Sequence, residues 1–374
     1  MLWLSLGVLL SLGYLAYQLS DYRRRRLLYS SWRRLVRWEF WPMSVFYIPV
    51  AIYILYLGIR YKGFTLFTAA NPGIPHGGVA LMSKSEILKG LMGLPERVAT
   101  FVLIPSELSQ EEKMGRLRGF MDEYSLSFPI VLKPDFGERG KGVGIINNEN
   151  EAFRYLEGSS EAVIAQEYVP GIEFGVFYMR HPDSERGRVP SITAKLPTYV
   201  TGDGVRTLEQ LILDDQRAVC MARFFLAKFE DCLLEVIPVG ETFTLASLGT
   251  HSRGSLFLDA NDIWTEELEA AFDTLSQSFD GFFVGRYDVR VGSLESIKQG
   301  ENFKVVELNG VVSEPTHMYD PKHGLLYAYR TMFRLWNEIF RIGHANRSRG
   351  FPSSSLNELR QLMQAFQSQE KLEV

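Results

Sequence analysis

Three stretches concentrate the residues whose types and spacing could do chemistry. In "KVVELNG" (304–310), Glu307 and Asn309 alternate with Val306 and Leu308, so on a strand both point to one face. In "FFVGRYDVRVG" (282–292), Arg286, Asp288 and Arg290 alternate the same way between apolar flanks. Buried charges must be paired or coordinate something. Asp288 facing Glu307 across neighbouring strands therefore needs a cation. Two carboxylates and an amide oxygen make a shell of the kind Mg²⁺ shares with phosphates. The same residues also fit a half-buried strand whose polar face meets solvent.

The third stretch is "VLKPDFGERGKGVGI" (131–145). It ends a β run at Lys133 and continues with Gly137, Gly140, Gly142 and Gly144, among which Arg139 and Lys141 add positive charge. Glycine lets backbone N–H groups approach an anion closely. A flexible hairpin with solvated charges reads the same way, and the stretch is no Walker loop, since no G-K-[ST] closes it before a helix. Further on, "VIAQEYVPGIEF" (163–174) runs from an apolar strand through Gln166, Glu167, Tyr168 and Val169 to a Pro-Gly turn and Glu173. Such an edge offers backbone groups to an adenine and Glu173 to a ribose, or is an ordinary surface hairpin.

Taken in order, Lys84 in "LMSKSEILKGLMGLP", Lys133, the Gly-rich loop, "QEYVPGIEF", Lys195, "GRYDV" and "VVELNG" resemble the ATP-grasp carboxylate–amine ligases. The D-alanine–D-alanine ligases are similar by motif, and "YVTGDGVRTLEQLI" and "HSRGSLFLDAND" resemble stretches of cyanophycin synthetase-like ligases. The resemblance spans about residues 80–320. It implies an α+β ATP-grasp fold, two α+β subdomains gripping ATP, with ATP and two Mg²⁺ ions (or Mn²⁺) as cofactors. It also implies roles. Lys84 and Lys133 would contact the nucleotide together with Gly137, Arg139, Gly140, Lys141 and Gly142. Gln166, Glu167, Tyr168 and Val169 would line the adenine, and Glu173 would hold the ribose. Lys195 would reach a phosphate, Arg286 would neutralise the developing acyl phosphate, and Asp288, Glu307 and Asn309 would hold the metal. Gln166 stands where relatives often have Glu, and the loop lacks the serines of the dipeptide ligases, so D-alanine specificity does not carry over.

The elements that must position these residues alternate from Gly63 onward as short strands and amphipathic helices. "GFTLFTA" reads as a strand, "SKSEILKGLMG" (83–93) as a helix opened by a serine cap, "SQEEKMGRLRGFMDEYS" (109–125) as a polar-faced helix, and 293–302 as a polar hairpin between two strands. Helices follow near 207–218, 265–278 and 324–341, then a Ser/Arg/Gly linker and a charged terminal helix. The expected domains are a membrane anchor with a basic, aromatic segment (1–62), a reduced pre-ATP-grasp region (63–125), a lid subdomain with the Gly-rich loop (126–190), a core with the metal site (191–345), and a linker with a C-terminal helix (346–374). His76, His251, Arg253 and His317 are further candidates for substrate contact.

The chain has 374 residues and a net charge of −4. Residues 21–62 hold nine Lys/Arg against Asp21 and Glu39, a net of +7, which leaves −11 for the body from residue 63 on. An acidic body with a basic neck points to a membrane surface and away from nucleic acid. Residues 1–20 carry no charged side chain, long enough for one bilayer crossing, and the arginines after them favour a cytosolic body at the inner membrane. A second uncharged run, 40–59, is interrupted by Pro42 and Pro49 and is expected to re-enter or lie in the interface, with a hairpin of two crossings as the alternative. Cys220 and Cys232 form no metal or disulfide pattern, which fits a reducing compartment.

The expected function is a membrane-anchored ligase that activates a carboxylate with Mg-ATP and joins it to an amine, on small-molecule or lipid-linked substrates. A kinase of the same fold acting on a hydroxyl, or a non-catalytic nucleotide-sensing module, are the alternatives.

Overall fold

The computed structural model describes Gly13, Tyr17 and residues 19–137, 140–246 and 254–372. Most of the expected anchor, together with Arg139, His251 and Arg253, lies outside the described residues. The helices are α1 (Tyr22–Val36), α2 (Met43–Arg60), α3 (Lys84–Lys89), α4 (Gln110–Glu123), α5 (Glu149–Glu157), α6 (Leu208–Asp214), α7 (Ala222–Lys228), α8 (Glu266–Gln277), α9 (Leu294–Lys298), α10 (Leu325–Ser348) and α11 (Leu356–Leu372). The strands are β1 (Phe101–Ile104), β2 (Ile130–Pro134), β3 (Gly144–Ile146), β4 (Val163–Glu167), β5 (Ile172–Met179), β6 (Arg188–Leu196), β7 (Thr198–Thr201), β8 (Thr242–Ala246), β9 (Leu256–Asp259), β10 (Val284–Val291) and β11 (Phe303–Asn309).

The chain divides into two compact units, residues 1–48 with 196–256, and residues 49–195 with 257–374. In the first, β7 and β8 pair antiparallel. A core of Leu208, Leu211, Ile212, Phe225, Leu226 and Leu245 takes Leu27 of α1 against it. The basic segment is thus a docked helix: Arg23 pairs with Glu209 at 2.8 Å, and Tyr22 donates to Asp214 at 2.5 Å. Glu39, buried, accepts from Arg217 at 3.3 Å.

The second unit holds two antiparallel sheets, ordered β1-β4-β2-β3 and β11-β10-β5-β6-β9. The smaller buries Ile130, Leu132 and Ala165 against Met114, Leu117 and Phe120 of α4 and Ala152 and Leu156 of α5. Alternation on β10 gives the larger sheet two unlike faces. Tyr287, Val289 and Val291 enter a core with Phe272, Phe282 and Phe303, while Arg286, Asp288 and Arg290 take the other side. The helix starts follow the caps: Ser83 accepts from Glu86 N–H, and Ser109 and Glu112 form a capping box.

Four local expectations are corrected. "GFTLFTA" is a 3₁₀ turn (Leu66–Ala69), packed where Gly343 of α10 comes so close to the Leu66 carbonyl that a Cβ would not fit. The 293–302 connection folds as α9, capped by Ser293. Pro49 does not break the 40–59 run but sits inside α2, whereas Pro42 does separate the Trp38–Phe40 turn from the helix, its carbonyl accepting from Val45 and Phe46 N–H. The Pro-Gly turn after Val169 makes no hairpin, because β4 pairs with β1 and β2 whereas β5 pairs with β10 and β6. Residues 168–171 carry the chain from one sheet to the other.

Candidate functional site

The opposed polar strands lie in register. Asp288 stands directly opposite Glu307, and Arg286 opposite Asn309, on antiparallel β10 and β11. On the other side of β10, Gly175 of β5 faces Asp288, with Thr193 of β6 beyond it. The small Gly175 leaves this row open, and Arg286 Cδ, Lys195 Cε and Thr316 Oγ1 close over the position its Cβ would occupy, at 3.4–3.5 Å.

A compact ion cluster fills that face. Lys195 Nζ is 2.9 Å from Asp288 Oδ2 and 3.0 Å from Glu173 Oε1, and Arg286 Nε donates to Asp288 Oδ1 at 3.0 Å. Burial works against the Lys195 charge, but Asp288 and Glu173 outweigh it and raise its ammonium above the usual value. Burial likewise works against the Asp288 carboxylate, yet Arg286 and Lys195 hold it below the usual range. Arg286 also donates to the Glu314 carbonyl at 3.4 Å, tying the 310–320 loop to the cluster.

Lys133 sits in a different environment. Its Nζ donates to Gln166 Oε1 and to the Val306 carbonyl, each at 2.9 Å. These are neutral acceptors, so burial pushes its ammonium down to about 8, with Lys84 adding to the effect and Glu307 opposing it. Gln166 Nε2 reaches the same Val306 carbonyl at 3.3 Å. Lys304 Nζ holds Glu167 at 2.6 Å, and Ala99 N–H donates to Val305 O. The two sheets therefore meet along the strand that ends in Glu307 and Asn309.

Lys84 closes the start of the Gly-rich loop, donating to the carbonyls of Pro134 at 3.0 Å and Gly137 at 2.8 Å. Gly137 and Gly142 have φ of 126° and 71°, a region that L side chains rarely adopt, and a Cβ on Gly142 would strike the Pro134 ring at 2.8 Å. Sequence reading passed over Asp135. It is buried and accepts from Ser83 Oγ and Ser85 N–H, each at 2.8 Å, which locks α3 to the loop. Its signal was available, an Asp directly after Lys-Pro at a strand end.

The other candidates are dispersed. Arg290 donates to the Val169 carbonyl at 3.0 Å and lies over the Tyr168 ring, so Tyr168 and Val169 are held from β10. His317 is buried, within hydrogen-bond reach of Ser191 Oγ at 2.6 Å and Tyr327 OH at 3.0 Å, and burial lowers its imidazole to about 4. His76 meets Ser354 Oγ at 2.9 Å, in the linker.

The donor set of β10 and β11 fits a hard cation. Among the described residues no three His, Cys, Asp or Glu side chains cluster, and the third oxygen here is the Asn309 amide. Asn309 Nδ2 is buried without a hydrogen-bond partner. Turned over, the amide would present its oxygen there.

Residues 104–174 match the model of the RimK-like ATP-grasp domain. The chain is a relative of the ATP-grasp carboxylate–amine ligases, as its motif order implies. It is 24% identical over 226 residues to a cyanophycin synthetase of Synechocystis sp., covering 53% of this chain and 24% of that protein. To the glutathione biosynthesis bifunctional protein GshAB of Listeria innocua it is 30% identical over 89 residues, 22% of this chain and 11% of that one. The chain thus spans a quarter or less of these two relatives. Among solved structures, the VanG D-Ala:D-Ser ligase from Enterococcus faecalis aligns over 70% of this chain and 64% of its own, at 15% identity and a TM-score of 0.41.

Proposed function

We propose that this protein is an ADP-forming, ATP-dependent carboxylate–amine ligase. The observation that carries the reading is the paired row Asp288–Glu307 and Arg286–Asn309, set beside buried Lys195 and Lys133 where two sheets of an ATP-grasp protein meet. Phosphoryl transfer needs positioning and charge neutralisation more than covalent work by the protein, and this face supplies both on rigid strands. Lys133 binds a nucleotide phosphate, and Gly137, Gly140 and Gly142 let backbone N–H groups approach the rest. Residues 166–169 line the adenine and Glu173 holds the ribose. Arg286, kept in one orientation by Asp288, neutralises charge on the carboxylate being phosphorylated, and Lys195 steadies a phosphate from β6, beyond β5. Asp288, Glu307 and Asn309 would hold Mg²⁺, which when bound offsets phosphate charge. The relatives' names, a cyanophycin synthetase and a glutathione biosynthesis protein, support biosynthetic ligation of small molecules.

We further propose attachment to the inner membrane, with the body in the cytosol and a lipid-linked or amphiphilic substrate. The uncharged residues 1–20 and the arginines after them support it. The test is ADP release by the full-length protein in detergent, against a panel of amino acids, short peptides and amines. Turnover with one acid–amine pair, absent in Glu307→Gln, is expected. ADP release that yields a phosphorylated hydroxyl and no amide overturns the ligase reading in favour of a kinase.

A further inference from the structure

Helix α2 is long and apolar enough to cross a bilayer, the one such helix among the described residues. Its packing in the second unit argues otherwise. Val50 and Leu57 are fully buried, and the Tyr53 ring lies 4.6 Å from Phe333 of α10. Just beyond the helix, the Tyr61 and Lys62 carbonyls accept from the Arg347 guanidinium at 3.0 and 3.1 Å. One face of α2 is thus part of the protein. The opposite face carries Ile52, Leu55, Tyr56 and Ile59 at i, i+3, i+4 and i+7, and these are more than half exposed, Ile59 at 69%.

We propose that α2 lies flat in the surface of an anionic bilayer, its outer stripe sunk into the headgroup–acyl boundary and its inner face held by α10. Charge favours this occupant. No Asp or Glu occurs from residue 40 to 85, whereas Arg60 and Lys62 stand exposed at the end of the stripe, and Phe64, half exposed, follows. Binding in the interface plane grows with the apolar area buried and with the attraction of nearby cations to anionic lipid, and the outer stripe with Arg60 and Lys62 supplies both. A protein partner would more commonly meet a mixed surface with polar area at its rim. The first unit repeats the chemistry independently. On α1, Leu28, Trp32 and Leu35 are exposed at i, i+4 and i+7, with Arg25 and Arg34 exposed on the same helix. The inference adds geometry to the membrane attachment proposed above and does not depend on the nucleotide chemistry.

The test uses the full-length protein with Cys220→Ser and Cys232→Ser. Single cysteines are placed in turn at Ile52, Leu55, Ile59 and Leu35, with Arg334, exposed on α10, as a water-facing reference. Each is labelled with an environment-sensitive fluorophore and the protein is reconstituted in vesicles of phosphatidylcholine and phosphatidylglycerol. All four positions are expected to show blue-shifted emission, quenched more by a nitroxide near the lipid headgroup than by one at the chain end, and to a similar degree along α2. Arg334→Cys stays water-like. Four positions report separately, so a labelled chain that fails to fold leaves the others in force. Quenching that deepens toward the middle of α2 overturns the proposal in favour of a crossing helix. A blue shift that no lipid nitroxide quenches overturns it in favour of a second copy of the chain. Water-like emission from protein that still floats with the vesicles overturns it while leaving membrane attachment standing.

Discussion

Lys133 and Gln166 are neighbours in the smaller sheet, joined by a 2.9 Å hydrogen bond, and both reach across to the carbonyl of Val306 in the larger one. The ammonium is therefore held between sheets by neutral oxygens. A nucleotide phosphate arriving there would meet a cation that little else in its first contacts neutralises.

This has a pH signature with two opposite signs. Lys133 falls from the ordinary 10.5 to about 8 on folding. Between those values the unfolded chain binds the extra proton, so folding stability from this group rises with pH, by about 3 kcal/mol across the window. Nucleotide affinity runs the other way and weakens as pH climbs through about 8. Titration calorimetry and urea unfolding from pH 7 to 10 should show both trends, and Lys133→Met should flatten both. An affinity that stays level to pH 9.5 would count against Lys133 as the phosphate ligand.

Gln166→Glu places a carboxylate at the same 2.9 Å contact. An opposite charge at that distance raises the lysine pKa by about 1 unit or more. The alkaline loss of nucleotide affinity should then move to higher pH by a similar amount. An unmoved profile would mean that the amide in this chain does not set the ammonium's charge.

Asn309 separates metal binding from stability. Its buried Nδ2 lacks a partner, a condition that costs about 1–3 kcal/mol. Asn309→Ala should leave the melting temperature in EDTA unchanged or slightly raised. It should also abolish most of the extra stabilisation that Mg²⁺ and nucleotide together give the native protein. Equal metal-dependent stabilisation in both proteins would remove Asn309 from the ligand set.

Much of this site was legible because strand alternation is a strict rule. The period-two pattern at 286–288 and 307–309 puts the two polar pairs on one face once the strands pair, and they do, although the register shifts between Asp288 and Val289 and turns Val305 to the core with Leu308. The cap at Ser83 was equally readable, since side chain and backbone satisfy each other within a few residues, while the capping box of Ser109 and Glu112 was passed over. Longer-range facts were not. "GFTLFTA" has strand composition, but packing against Gly343, 277 residues from Leu66, decides its form. "QEYVPGIEF" has the look of a hairpin, and only the competing partners β1, β2, β6 and β10 divert its two strands into different sheets. The basic run after residue 21 gave no hint that Arg23 and Arg26 would be engaged by the protein itself, at Glu209 and the Leu213 carbonyl. Sequence separation hides such contacts.

The Lys195–Asp288 pair should behave as one unit. Both side chains are buried, so removing one partner leaves the other with only Arg286 or Glu173 to compensate it, at up to about 3–5 kcal/mol. Lys195→Met and Asp288→Asn should each destabilise by that order in urea unfolding, and the double variant by clearly less than their sum. Activity should be lost in all three. Additive destabilisation would show that Glu173 and Arg286 carry the charges independently.

His317 gives the acid side of the stability profile. Burial lowers its imidazole from 6.5 to about 4, so the folded chain keeps it neutral between Ser191 and Tyr327 while the unfolded chain binds a proton below 6.5. Its contribution is present above pH 6.5 and is lost as pH falls toward 4, about 3 kcal/mol in all. His317→Gln keeps a hydrogen-bonding side chain without that titration. Urea midpoints for the native protein should fall more steeply between pH 6.5 and 4.5 than those of the variant, whose own loss at pH 7 reflects only the altered contacts with Ser191 and Tyr327. Parallel slopes would mean that the imidazole is protonated in the folded chain and that the Ser191–His317–Tyr327 row is held by a charged group.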